Sequence, residues 1–213
     1  MKIDKIMITC AIVFIALLNC FPLNADYYGY GDEKKTTLSL RYGGYAFSDP
    51  VNDSGYGDDA TAISFDLTLS GDNPGISWRF ALEKLSSSAN AYVDANNHAT
   101  ADLGIAGPSV AVVFHNDRNK KVGVYGGLGL GFYNVAEKGS AVLAGTPFII
   151  DGDGSSTGIN LFGGINVALS DSFSLGLEYF NRNLKVDMED PGGASENINY
   201  GGKSLFLTLG FSF

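Results

Sequence analysis

Eight stretches of this chain alternate apolar and polar residues, and the connections between them alternate short and long. A period of two marks a strand with two unlike faces. The first, TTLSLRYGGYAF (36–47), puts Leu38, Leu40 and Tyr42 on one face and Ser39, Arg41 and Gly43 on the other. TAISFDLTLS (61–70) sets Ile63, Phe65, Leu67 and Leu69 against Ser64, Asp66, Thr68 and Ser70. GISWRFALEKL (75–85) sets Ile76, Trp78, Phe80 and Leu82 against Ser77, Arg79, Ala81 and Glu83. LGIAGPSVAVVF (103–114) is the least regular, and Pro108 weakens it because proline donates no ladder bond. The remaining runs are 122–133, 157–169, 173–186 and the terminal 205–213, where Leu205, Leu207, Leu209, Phe211 and Phe213 share one face.

The short connections are 71–75, 115–121 and 170–172, and the long ones 48–60, 86–102, 134–156 and 187–203. Collecting every long loop at one end is the habit of an outer-membrane barrel, and a strand of about ten tilted residues crosses hydrocarbon. A soluble eight-stranded barrel of the lipocalin kind would carry its apolar face inside. Volume decides between the two. The polar faces are rich in small residues such as Ser39, Gly43, Ser64, Gly127, Gly129, Gly131, Gly164, Gly176 and Gly210, while the apolar faces carry Leu, Ile, Phe and Trp. Small side chains suit the narrow interior of eight strands, and bulky ones suit lipid. The sequence therefore predicts an all-β, eight-stranded antiparallel up-and-down transmembrane β-barrel over 36–213.

The first 25 residues predict a signal peptide: Lys2 and Lys5, an apolar run from Ile6 to Leu18, and Ala25 before a polar segment. The run is short for a spanning helix, the alternative reading. LLNC at 17–20 loosely matches a lipoprotein box, although Asn19 replaces the small residue such boxes carry, so lipidation at Cys20 stays open. Residues 26–35 then form a short N-terminal segment. Cys10 and Cys20 are the only cysteines, so the chain from Asp26 holds no disulfide and no thiolate metal site. A net charge of −9 disfavours nucleic acid, whose phosphates need Lys and Arg.

On these residues the chain resembles the small outer-membrane β-barrel superfamily of Gram-negative bacteria, the OmpA-, OmpX- and OmpW-like barrels. The resemblance implies a monomer in the outer membrane, with periplasmic termini, extracellular long loops, and outer-membrane lipid and lipopolysaccharide as neighbours. It implies that Leu205, Leu207, Leu209, Phe211 and Phe213 form the signal read by the barrel-assembly machinery. It also implies a structural or surface-interaction role in adhesion or envelope integrity, or alternatively a narrow pore for small solutes or small hydrophobic molecules.

Little in the chain points to catalysis. His98 and His115 are the only histidines, both expected in solvated loops or turns, and neither has a serine two positions on as in outer-membrane lipid A deacylases. Omptin-type proteases have more strands and clustered Asp and His. DGDGSS (151–156) lacks the sixth-position glycine and the twelfth-position glutamate of a calcium loop and reads as a solvated loop. GGLGLG (126–131) lies in mid-strand with no helix after it, so it is no nucleotide loop, and its glycines keep the lumen open or let walls approach. No cofactor or metal site is expected.

The charges on the polar faces say more. Arg41, Asp66, Arg79 and Glu178 fall at similar depth, and charges in a narrow barrel must pair because an isolated one costs several kcal/mol. Glu83 and Arg182, higher on the same faces, extend the network. It is expected to act as a structural plug, or as a gate. The long loops lean acidic (Asp49, Asp53, Asp58, Asp59, Asp94, Asp102, Asp151, Asp153, Glu189, Asp190, Glu196), either to stay solvated or to take divalent cations beside lipopolysaccharide. Arg118, Lys120 and Lys121 sit in a short turn instead.

Overall fold

A computed structural model describes residues 36–49, 56, 60–70, 75–116, 121–189 and 195–213, without the side chains of Val93 and Glu189. The expected signal peptide, Cys20 and the 26–35 segment lie outside the described residues, as do Asp53, Asp58, Asp59, Asp190, Arg118 and Lys120. The strands are β1 (Thr36–Phe47), β2 (Thr61–Ser70), β3 (Ile76–Asp94), β4 (Asn97–His115), β5 (Val122–Leu143), β6 (Thr146–Ala168), β7 (Phe173–Asn183), β8 (Lys185–Glu189), β9 (Ser195–Asn199) and β10 (Gly202–Ser212). β1 to β7 pair in chain order, and β10 closes the ring between β7 and β1, every pairing antiparallel. Closure runs from Thr37 opposite Ser212 to Phe47 opposite Gly202, and Thr36 and Phe213 exchange backbone bonds of 3.0 Å. A ring leaves no unpaired edge for lipid to desolvate.

The end carrying Thr36 and Phe213 is the turn end. The opposite, hairpin end corrects the sequence reading. Segments 86–102 and 134–156 are strand rather than loop: β3 and β4 run on to a turn at Ala95–Asn96, and β5 and β6 to one at Ala144–Gly145. Ala144 and Gly145 take φ of 51° and 81°, the left-handed pair that a tight hairpin requires. DGDGSS lies inside β6, where Asp151 faces Lys138, itself opposite Asp102. Register with β5 over its whole length holds this Gly- and Asp-rich segment as strand. The seventh run breaks at Leu184 and gives way to the small β8–β9 hairpin over much of 187–203. Pro108 does sit in β4, opposite Leu82, but pairing with β5 passes from Ala106–Asn134 to Ser109–Gly131 and skips it. Its missing N–H explains the gap.

The outer face carries the bulky residues that parity assigned to it, except that Leu67 is only 2% exposed. Leu40, Tyr42, Phe65, Trp78, Leu130, Phe132, Leu177 and Tyr179 are all exposed, as are Leu205, Leu207, Leu209, Phe211 and Phe213 on the last strand. Outward residues stay apolar for roughly nine positions per strand, which at ~3.4 Å per residue and a 35–45° tilt makes a belt about 22–25 Å tall. Above the belt the pattern inverts. On β3 Leu82 points out and Glu83 in, but Lys84 then points out and Leu85 is buried. The change of phase is the change of solvent, from hydrocarbon to water.

Candidate functional site

The inward parity of β1, β2, β3 and β7 brings Arg41, Asp66, Arg79 and Glu178 to one level of the lumen. Glu178 is fully buried, pairs with Arg41, and lies 2.6 Å from Arg79. Arg41 reaches Asp66 at 2.6 Å through Nε, and its Nη2 donates to Ser64 at 2.9 Å and to Asp66 at 3.1 Å. Tyr125 donates to Glu178 at 2.8 Å. One level up, Arg182 pairs with Glu83, which also accepts from Ser109 at 2.7 Å and Tyr133 at 2.9 Å. Arg41 Nη2 lies 3.7 Å from Glu83 and ties the two levels together. The six charges that parity singled out are thus one cluster of three arginines and three carboxylates, with no net charge to be stabilised by solvent.

Aromatic rings that parity alone did not expose complete the packing. Arg79 lies 4.4 Å from the Phe162 ring centroid, Arg182 4.1 Å from Tyr133, and Arg41 5.0 Å from Phe206. Weakly hydrated guanidinium planes stack well on such faces, whose negative charge favours them. The signal was present in neighbouring bulky pairs: Leu161–Phe162, Tyr179–Phe180, Leu205–Phe206 and Phe132–Tyr133 cannot put both members on one face of a strand. The glycines of GGLGLG have a specific task here. A Cβ on Gly127 would fall 2.3 Å from the Phe162 ring, and one on Gly131 2.3 Å from Tyr133. The sequence offered two roles for these glycines, keeping the lumen open or letting walls approach; Gly127 and Gly131 leave room for rings that fill the lumen.

Above the charges the lumen is closed by apolar side chains, which the expected polar interior did not include. Leu85, Ile105, Val135, Leu184, Val186 and Tyr200 are each at most 1 % exposed. Tyr45 donates to the Tyr200 carbonyl at 2.9 Å. At the top, Tyr56 and Tyr200 both donate to Glu137, and Ser87 donates to the Tyr56 carbonyl. Burial, reinforced by the carboxylate, pushes both phenols above their ordinary range, so they stay protonated donors.

Below the charges a polar cavity of about 470 Å³ opens at the turn end, lined by hydroxyls such as Thr37, Thr68 and Ser77, with Asn166, His115, Lys121 and Asp171. An extension of about 70 Å³ stops against Arg41, Asp66, Arg79 and Tyr125. His115 is no solvated turn residue: it ends β4 on the inner face, and its Nε2 lies 3.0 Å from Ser77 Oγ. Strand pairing made that contact, which sequence spacing could not show. Ser77 is fully buried in the wall of that cavity. His98 likewise lies in a strand, β4, opposite Tyr92 and Val142.

The acidic residues do not collect. Among the described residues no three His, Cys, Asp or Glu side chains are placed to hold a metal. Asp94 instead caps its hairpin turn, accepting from the Asn96 N–H at 2.8 Å and from the Asn97 amide. Those bonds hold its carboxyl below the usual range.

No protein-family model and no curated protein sequence matches the chain. Solved structures share its fold. The outer membrane protein OprG from Pseudomonas aeruginosa superposes with a TM-score of 0.58 at 10% identity, over 84% of this chain and 96% of that one. A major outer membrane protein from Thermus thermophilus gives 0.51 at 12% identity, over 84% and 99%. Ail, the attachment invasion locus protein of Yersinia pestis, in complex with the heparin analogue sucrose octasulfate, gives 0.51 at 15% identity, again over 84% and 99%. The chain has the architecture of the small outer-membrane barrels.

Proposed function

We propose that this is an integral outer-membrane protein whose closed barrel anchors surface hairpins, in an adhesive or envelope-stabilising role rather than in transport. The filled lumen carries the reading. A solute entering the turn-end cavity meets the neutral charge cluster with rings stacked on its arginines, then buried aliphatic side chains. Such a barrel leaves its function to what projects from it. β3 to β6 run well beyond the belt, farther than a membrane span needs.

In this reading the turn end is periplasmic, residues 1–25 are a removed signal peptide, and 26–35 lie in the periplasm. The hairpin end faces the medium, the protein is a monomer, and the outward residues Leu205 to Phe213 present the last strand to the barrel-assembly machinery. An attachment role, which the name of Ail carries for that protein, agrees with paired hairpins that run beyond the belt. The second reading is a narrow gated pore, favoured by the small extension of the cavity that reaches Arg41 and Arg79.

Orientation tests the proposal. The chain from Asp26 has no cysteine, so single ones are clean reporters. Ala144→Cys should react with a membrane-impermeant maleimide on intact cells, and Ser172→Cys only after the outer membrane is opened. The reverse pattern, or recovery of the protein in the soluble periplasm, would overturn the assignment.

A further inference from the structure

All eight strands of the ring contribute to the turn-end cavity, whose volume of about 470 Å³ lies within the ~300–1,000 Å³ usual for small-molecule sites. Its wall has hydrogen-bonding groups to spare. The side chains of Thr68, Asn166 and Ser174 line it and have no hydrogen-bond partner among the described residues. Two glycines keep that wall open: a Cβ on Gly176 would fall 2.6 Å from Asn166 Oδ1, and one on Gly210 2.6 Å from Ser174 Oγ. Elsewhere on the wall the groups bond each other, Thr37 with Ser212 at 2.9 Å and Ser77 with His115 at 3.0 Å.

The blind end of the cavity presents a guanidinium. Thr68 lies directly across the strand pair from Arg79, and both line the extension of about 70 Å³. Arg79 is the least buried of the three arginines, with 11% of its side chain exposed against 2% for Arg41 and 4% for Arg182. Its Nη1 donates to Glu178 at 2.6 Å, whereas its Nε has no partner among the described residues. Glu178 is fully buried and does not reach the cavity wall. The one carboxylate that does line the extension, Asp66, is held by Arg41 at 2.6 Å. In the wider cavity the titratable and charged groups are His115, Lys121, Tyr125 and Asp171.

We propose that this well binds a small polyhydroxylated carboxylate, a sugar acid, entering from the turn end. At about 15 Å³ for each atom-sized guest, the extension has room for roughly four or five heavy atoms, so a carboxylate fits there and a sugar ring does not. The carboxylate oxygens accept from Arg79 and from the Thr68 hydroxyl, a charge-assisted pairing that suits a guanidinium with an N–H to spare. The hydroxyls of the ligand, each both donor and acceptor, meet Asn166 and Ser174 in the wider cavity. Because Glu178 already engages Arg79, the head alone is weakly held, and affinity requires head and body together. Such binding is separate from the scaffold role: the well is blind, and an occupant there moves nothing across the membrane.

Calorimetric titration of the full barrel in phosphatidylcholine nanodiscs, where both ends meet the buffer, tests this. D-Gluconate should bind saturably. Sorbitol, which lacks the charge, and hexanoate, which lacks the hydroxyls, should each bind at least about tenfold more weakly. Thr68→Val and Asn166→Leu each remove one hydrogen-bonding group and should weaken gluconate about fivefold, and Arg79→Met by more than about tenfold. Arg79→Met also loosens the charge cluster, so Thr68→Val and Asn166→Leu, with folding checked by their urea midpoints, decide the matter. Lys138→Gln, on the hairpins, should bind as the wild type does. The proposal is overturned if gluconate shows no saturable binding, or if Thr68→Val and Asn166→Leu both keep wild-type affinity. Hexanoate binding as tightly as gluconate would also overturn it, since the well would then read charge alone, and sorbitol binding as tightly would show that no anion is recognised. Orientation does not enter the result, so failure here leaves the scaffold reading standing.

Discussion

Glu178→Gln should destabilise the barrel more than any other conservative change in the lumen. The carboxylate is fully buried and accepts from Arg41, from Arg79 and from Tyr125. Neutralising it leaves Arg41 with Asp66 and Glu83, but removes the one ion pair that Arg79 makes among the described residues. Breaking a buried pair from one side costs about 3–5 kcal/mol. Arg79→Met should cost less, about 2–3 kcal/mol, because Glu178 keeps Arg41 and Tyr125 and loses one charge-assisted bond. The double variant restores a neutral cluster, so its loss should fall short of the sum by about 1–3 kcal/mol. Urea unfolding of the refolded barrel in vesicles reads this directly. Trp78, the single tryptophan, is half-exposed on the outer face beside Arg79 and reports entry into lipid. At a slope of about 2 kcal/mol/M, a 4 kcal/mol loss moves the midpoint by roughly 2 M. Strictly additive losses would mean that the two side chains do not meet, and the cluster described here would be wrong.

The glycines separate the two faces of the wall. Gly131→Leu drives atoms into the Tyr133 ring and should cost at least about 1–3 kcal/mol, whereas Gly44→Ala, with open space around it, should leave the urea midpoint within about 0.5 kcal/mol of wild type. Phe213→Asp should cut the amount assembled in the outer membrane far more than Ser212→Ala. A charge near the interface of a barrel costs only about 0–1 kcal/mol in stability, so most of that defect must arise during assembly. A Phe213→Asp protein present at the wild-type level would refute the role given to the last strand.

Within the belt the sequence was readable because lipid imposes strict parity. Arg41, Asp66, Arg79, Glu83, Glu178 and Arg182 could be assigned inward from alternation, and a closed narrow tube left them nowhere else to pair. The hairpins were harder. From Lys84 upward water replaces lipid, so Leu85, Ile105 and Val135 turn inward and the rule that identified the belt labels the same segments irregular. Gly- and Asp-rich stretches such as 151–156 then read as loop, although register with β5 holds them as strand. The stacked rings were hidden for another reason. Phe162, Phe180 and Phe206 each follow an outward bulky neighbour, so an assignment of apolar residues to one face absorbs them. The Ser77–His115 contact depends on register between β3 and β4, which no local pattern encodes.

Ion conductance across a planar bilayer tests the closed lumen most directly. Wild-type barrel, reconstituted singly in salt with both polarities applied, should pass no steady current, because the ring-packed charge cluster and the apolar core lie in series. Arg79→Met combined with Glu178→Gln should stay closed as well, since Leu85, Ile105 and Tyr200 still block the lumen above. Stable open steps in the wild type would contradict the closed scaffold. Steps that appear only in the double variant would instead make the charge cluster a gate and the protein a pore.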